Sequence, residues 1–227
     1  MAINLVKGQT IDLRKNDKGE SYDLSSVTIG LGWDVRQSGG GGGFLGKLFG
    51  GGGAEEEEYD LDAIAFLLDK NGKVANLGRD KQATDGRTIR LFEGDVIYYN
   101  SMRHPTGNIW LTGDNRTGAG DGDDEQIIVK LDALDPKFDR ILFMVTIYQG
   151  RKNRQHFGMV DNAFIRAVDN HGKEIVKFSL SGDSAYNGMC SMVFAEVYRK
   201  DGTWKFRAIG EPHNTDTFLD LLPNYTV

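Results

Sequence analysis

The sequence predicts an all-β protein: a two-sheet β-sandwich built from two pseudo-repeated halves, with few short helices. Three observations lead there. Short runs rich in Val, Ile, Phe and Tyr recur along the 227 residues, separated by turn pairs such as Asn71-Gly72, His171-Gly172 and Asp201-Gly202. The four prolines, Pro105, Pro136, Pro212 and Pro223, fall outside those runs, as ladder hydrogen bonding requires. The chain also repeats itself. Val27-Thr28-Ile29 matches Val145-Thr146-Ile147, Gln9-Thr10-Ile11 resembles Gln126-Ile127-Ile128, and Ala63, Asp69, Gly72 and Lys73 recur as Ala163, Asp169, Gly172 and Lys173.

In chain order the predicted strands are Ser26 to Trp33, Leu61 to Leu68, Asp95 to Tyr99, Glu125 to Leu131, Ile141 to Tyr148, Asn162 to Val168, Met189 to Tyr198 and Thr203 to Ile209. Phe218, Leu221 and Leu222 form one apolar helical turn near the C-terminus. The halves span roughly 1 to 113 and 126 to 213. Each needs the other, because either alone leaves a sheet face bare. Residues 1–227 therefore read as a single domain, interrupted at about 38–58 by SGGGGGFLGKLFGGGGAEEEE. Ten of the 30 glycines lie between Gly39 and Gly53, and chain of that composition cannot recover its ordering entropy by burial, so a disordered insertion is expected.

The net charge of −6 comes from two places, Glu55 to Glu58 and the segment Gly113 to Glu125; elsewhere acids and bases nearly balance. That distribution argues against a nucleic-acid partner, which needs a basic stripe. One cysteine, Cys190, excludes an internal disulfide and a Cys-rich zinc site; in the apolar strand it reads as a buried structural thiol. The N-terminus lacks an apolar core followed by a cleavage site, and no apolar run nears about 18 residues, so a soluble, cytoplasmic protein is expected.

The segment Gly113-Asp114-Asn115-Arg116-Thr117-Gly118-Ala119-Gly120-Asp121-Gly122-Asp123-Asp124-Glu125 offers carboxylates, an amide carbonyl and freely turning main chain, with no imidazole or thiolate. Such a set suits a hard cation, calcium above magnesium, zinc or copper. Its other reading is a solvated acidic loop. Asp60 and Asp62 open a strand and share one face, about 7 Å apart, close enough to join a cation site. In the second half Asn162 corresponds to Asp62, with Asp161 beside it; that pair reads as a strand-end hydrogen bond, with a weaker second site as the alternative.

Other motifs carry less. Gly41 to Lys47 satisfies GxxxxGK, but Leu48 stands where a phosphate-binding loop needs Ser or Thr. Phe44, Leu45, Leu48 and Phe49 read instead as an apolar docking element, with an unused insertion as the alternative. His104, His156, His171 and His213 form no HExxH arrangement and are expected at the surface. Trp33, Trp110 and Trp204 read as packing residues.

Ile29-Gly30-Leu31-Gly32-Trp33-Asp34, Asp60-Leu61-Asp62-Ala63, the loop GDNRTGAGDGDDE, Asn162-Ala163-Phe164-Ile165-Arg166 and Trp204 to Gly210 together resemble the TerD-type tellurium-resistance and general-stress proteins. The Gly-Phe-Leu insertion resembles the TerZ-type branch. Leu111-Thr112 departs from a histidine that many members carry, and the segment after Gly210 lacks the usual Gly-rich ending. The resemblance implies a calcium-binding β-sandwich of a bacterial stress response, with two calcium ions and no settled enzymatic activity. It implies Asp60, Asp62, Asp114, Asn115, Asp121, Asp123, Asp124 and Glu125 as metal ligands, and no catalytic residues. It implies partners among other stress-locus proteins, with contact at the inner face of the membrane as a further option. A metal-dependent hydrolase using the same carboxylates is the alternative; it needs an open coordination position and a nearby base. If the insertion is a tether, deleting Ser38 to Glu58 leaves the thermal unfolding midpoint nearly unchanged while weakening retention on vesicles or partners; a collapsed midpoint would show that it packs against the sandwich.

Overall fold

The computed structural model describes residues 3–15, 19–35, 59–112, 122–180 and 184–227. The Gly-rich insertion at 38–58 and the loop residues Asp114, Asn115 and Asp121 lie outside them. Among the described residues the chain forms β1 (Ile3–Leu5), β2 (Thr10–Asp12), β3 (Val27–Val35), β4 (Leu61–Leu68), β5 (Arg79–Gln82), β6 (Thr88–Phe92) and β7 (Val96–Ile97). It continues with β8 (Ile109–Leu111), β9 (Glu125–Val129), β10 (Arg140–Ile147), β11 (Val160–Val168), β12 (Glu174–Leu180), β13 (Ser191–Lys200) and β14 (Thr203–His213). One sheet runs β1-β12-β11-β3-β9-β8 and the other β2-β14-β13-β10-β4-β7, while β5 and β6 form a separate ribbon. The all-β, two-sheet architecture is as predicted.

The halves interleave. First-half β3 sits between β11 and β9, and second-half β10 sits between β4 and β13, so neither sheet can form from one half alone. The repeat is clearest in its turns. Asp69 Oδ1 accepts the N–H groups of Asn71 (2.8 Å) and Lys73 (2.9 Å), and Asp169 Oδ1 accepts those of His171 (3.0 Å) and Lys173 (2.9 Å). Gly72 and Gly172 occupy the same left-handed position, at φ 74° and 77°, which a Cβ would strain.

Two of the sequence matches need correction. Leu31 pairs with Ile165 and Phe143 with Ala65, and Ala65 and Ile165 are equivalent, so β3 aligns with β10 at an offset of 112 (143 less 31) rather than the 118 of the Val-Thr-Ile match. The strands are equivalent; the matched triplets are not. Nor do Gln9-Thr10-Ile11 and Gln126-Ile127-Ile128 correspond, since β2 lies at a sheet edge on β14 whereas β9 lies inside between β3 and β8.

Alternation divides the apolar residues between two cores. Val27, Ile29, Leu31 and Trp33 of β3 face Leu61, Ala63, Ala65 and Leu67 of β4 across the sandwich, with Ile141, Phe143, Val145 and Ile147 of β10. The outward residues Ile64, Phe66 and Leu68 are buried too, in a second core with Leu142, Met144, Val193 and the C-terminal Phe218, Leu221 and Leu222. All eight residues of β4 are thus buried, Asp62 among them, in keeping with a strand that is otherwise wholly apolar. The predicted C-terminal turn is real, as 3₁₀ turns at Phe218–Asp220 and Leu222–Tyr225 that form the lid of this outer core. Pro212 corrects the proline rule: β14 runs on past a bulge and pairs Pro212 with Met192.

Phe66 stacks edge-on against Phe218 and Tyr225, with ring centroids 6.1 and 5.6 Å apart. Phe66→Ala should therefore cost about 3–5 kcal/mol in urea unfolding, a loss shared with the C-terminal turns; a loss below about 1 kcal/mol would mean that they do not pack on β4.

Candidate functional site

The segment leaving the acidic loop is placed by two glycines. Residues 27, 29, 31 and 33 of β3 point into the core, so Gly30 and Gly32 present bare backbone on the outer face. The Asp123 carboxylate lies over Gly30, where a Cβ would stand 2.1 Å from its Oδ2. A Cβ on Gly32 would meet the Phe164 ring at 2.4 Å and the Gly122 carbonyl at 2.7 Å. The predicted Ile-Gly-Leu-Gly element thus provides the bed on which the acidic segment rests.

Asp123, Asp124 and Glu125 then do three different things. Asp123, with its side chain 2% exposed, accepts from Arg166 Nε at 2.7 Å and from Gln126 Nε2 at 3.2 Å. Arg166 also donates to Glu174 at 2.9 Å, and its guanidinium is held still more firmly in the charged form, first by the hydrogen bond to Asp123. Asp124 donates its own N–H to the Leu31 carbonyl (2.7 Å), while its Oδ2 accepts the Trp33 N–H (2.9 Å), so its side chain continues the β3–β9 ladder by one rung. Burial pushes the Asp124 carboxyl up, and the neighbouring Asp34 and Asp123 charges add to the rise.

Glu125 is 2% exposed and faces the space between the sheets, where it accepts the Ala63 N–H of β4 at 2.5 Å. A carboxylate of one sheet thereby closes the strand edge of the other, beyond the two residues of β4 that β7 covers. Asp62, one residue before Ala63, is 7% exposed and points the opposite way, onto the outer face beside Thr146. The Asp60 carbonyl accepts the Tyr148 N–H at 2.7 Å, and both Asp60 and Asp62 bear on Tyr99, whose phenol is pushed up first by burial and then by Asp62.

Of the eight predicted ligands, Asp114, Asn115 and Asp121 lie outside the described residues. The other five gather around the start of β4 and the end of β3, but on different faces. All are oxygen donors, which fits a hard cation; yet among the described residues no group of three or more His, Cys, Asp and Glu side chains could hold a metal ion. Asp34 was missed: Asn162 Nδ2 donates to its Oδ2 at 2.7 Å, making the strand-end hydrogen bond expected of the second-half pair. Asn162 has φ 52°, a conformation that asparagine tolerates better than most residues.

His104 corrects the surface placement expected of the histidines. It is 4% exposed; Nε2 lies 3.1 Å from Asp95 Oδ1, and Nδ1 accepts the Thr106 N–H at 3.2 Å with Thr106 Oγ1 at 2.8 Å. Asp95 in turn accepts the Asn76 N–H at 2.9 Å. This looks like an acid–base–hydroxyl relay, but the ring is held by its own turn and ties that turn to the Asn76 loop. Cys190 is buried, as expected, with its thiol on the Gln155 carbonyl. Trp33 and Trp204 are core residues, while Trp110 lies between the cations of Arg103 and Lys130.

Two interleaved sheets, with an acidic segment between the neighbouring strands β8 and β9 at the boundary of the two halves, define the class: an all-β sandwich. The chain belongs to the TerD-domain family, whose model matches residues 1–80 and 84–225. It is 55% identical to the tellurium resistance protein TerX of Serratia marcescens over 99% of this chain and 100% of that one. It is 41% identical to the stress response protein SCP2 of Bacillus subtilis over 99% and 100%. Identity to TerZ of Serratia marcescens is 34% over 96% and 94%, so the insertion's TerZ-like look is accompanied by a higher overall identity to TerX. In fold the chain is similar to the crystal structure of a homologue of telluride resistance protein TerD, SCO6318 from Streptomyces coelicolor, with a TM-score of 0.55 and 23% identity over 86% of this chain and 94% of that one. No helix among the described residues is long and apolar enough to cross a membrane.

The bed beneath Asp123 gives a direct check. Gly30→Ala should destabilise by about 1–3 kcal/mol, and adding Asp123→Gly, which removes the clash, should make the two losses clearly less than additive in thermal unfolding. Strict additivity would show that Asp123 does not rest there.

Proposed function

We propose that this chain is a calcium-binding, non-enzymatic module of a tellurium-resistance stress response, acting as a scaffold or sensor. One observation carries the reading: the exit of the acidic loop is fastened to both sheets, through Asp124 on β3 and Glu125 on β4. A cation held by the loop would therefore act on the junction of the two halves, linking occupancy to shape. The oxygen-only donor set and the names of the relatives support it. The ligand set is Asp114, Asn115, Asp121 and oxygens of Asp60, Asp62, Asp123, Asp124 and Glu125, with two ions as the family resemblance implies. Partners are other stress-locus proteins, with Phe44, Leu45, Leu48 and Phe49 as the docking element, in the cytoplasm or against its membrane. A hydrolase needs a general base beside the carboxylates, and the buried His104 is spent in holding its own turn.

Isothermal titration tests the calcium reading. The intact chain should show saturable heat with calcium, and Asp114→Asn with Asp121→Asn, which leaves the Arg166 and Trp33 contacts in place, should weaken it at least about tenfold. Absence of heat from the intact chain, or equal affinity in the variant, overturns the reading.

A further inference from the structure

The two sheets finish their outer faces differently. On the second, the outward residues Ile64, Phe66, Leu68, Leu142 and Met144 are buried in the core that the C-terminal turns cover. On the first, the outward residues Trp110, Gln126, Ile128, Phe164, Arg166 and Lys177 are only half-buried. An antiparallel sheet often has one wet face, so exposure alone calls for no partner. The charges set this face apart. Lys177 Nζ stands 3.8 Å from the centre of the Phe164 ring, while the Arg103 guanidinium and Lys130 Nζ lie 5.2 and 5.8 Å from that of Trp110. Arg103 bridges to Trp110, Trp110 pairs with Ile128 and Lys177 pairs with Arg166, which keeps these side chains on one face. Among the described residues none of the three cations has a carboxylate partner. Asp123 and Glu174, on the same face, are both bonded to Arg166. In a chain of net charge −6, the first sheet thus turns uncompensated cations outward beside two aromatic rings.

We propose that this face docks an acidic segment of a partner protein, with its carboxylates on Arg103, Lys130 and Lys177 and its apolar side chains on Trp110, Ile128 and Phe164. Aromatic rings and guanidinium groups are what protein interfaces favour, and complementary charge fixes the register of such a contact. β8 and β12 stand four places apart in the sheet, so at about 4.8 Å per strand the cations span about 20 Å. An extended segment of about six residues covers that distance. A nucleic-acid backbone carries a phosphate at every step and a bilayer presents a continuous anionic plane. Both would also press negative charge against Asp34 and the acidic segment at the end of this face. A peptide can set separate carboxylates over the three cations and uncharged groups between them. The inference goes beyond the calcium reading and asks nothing of the proposed metal ligands.

The test is NMR on the full chain in EDTA, titrated with acetyl-Glu-Leu-Asp-Glu-Phe-Asp-Glu-Leu-amide and with the same peptide carrying Gln and Asn in place of Glu and Asp. Saturable shifts are expected with the acidic peptide at the Trp110 indole N–H and at the amides of Ile128, Lys130 and Lys177, weakening as salt is raised. Arg103→Gln, Lys130→Gln and Lys177→Gln together should weaken binding at least about tenfold. Lys70→Gln, Lys152→Gln and Lys200→Gln, which remove the same charge elsewhere, should leave it within about twofold. The comparison of the two peptides on the unaltered chain decides the matter even if a variant unfolds. No saturable shift with the acidic peptide, equal binding of the uncharged one, or equal losses in the two variants overturns the proposal. Tighter binding of oligo-dT or of phosphatidylserine vesicles through the same residues also overturns it, assigning the face to nucleic acid or to a membrane. Calcium is absent throughout, so a failure here leaves the calcium titration standing, and a chain that binds no calcium can still bind the peptide.

Discussion

The burial of β4 on both faces is the constraint on which the rest depends. An antiparallel strand usually has one wet face; here all eight residues are buried, so the second sheet needs a core on each side. The inner core comes from the other sheet and the outer one from the C-terminal 3₁₀ turns. A strand so enclosed can carry charge only where it emerges, which is why Asp60 and Asp62 stand at its opening. Its backbone must also be satisfied where β7 stops short, and the Glu125 carboxylate supplies that acceptor for Ala63.

The same constraint explains the interleaving. Had each half formed its own sheet, β4 would have lacked β10, and the long apolar run Leu61–Leu68 would have faced water. Placing β10 beside β4 and β11 beside β3 gives each half a strand in both sheets. The Asp69 and Asp169 turns keep the same hydrogen bonds because each must reverse an equivalent strand within three residues.

Much of this was legible in the sequence, and the failures have physical reasons. The eight predicted strands all exist, because long apolar runs ended by turn residues leave little choice. β12 escaped notice since Glu174, Lys177 and Ser179 dilute its apolar residues, and β5 and β6 did because they are largely solvated. β1 and β2 hold three residues each and owe their form to neighbours, as tertiary context overrides weak local preference. The 118 offset failed because Val-Thr-Ile is a common strand triplet; the pairing partners, not the triplet, fix the register. His104 was misplaced because nothing local announces that Asp95, nine residues away, will be buried against it.

The acidic segment shows why residues that composition groups together need not act together in the fold. Asp123, Asp124 and Glu125 are consecutive, and composition treats them as one cluster. In the fold the first crosses the outer face to Arg166, the second lies in the ladder plane on Trp33, and the third enters the space between the sheets. Each has an oxygen committed to a protein donor, so none can offer a cation its full bidentate grip there without giving up a contact that holds the sandwich. A cation recruited at this place would therefore have to find further donors beyond these three carboxylates.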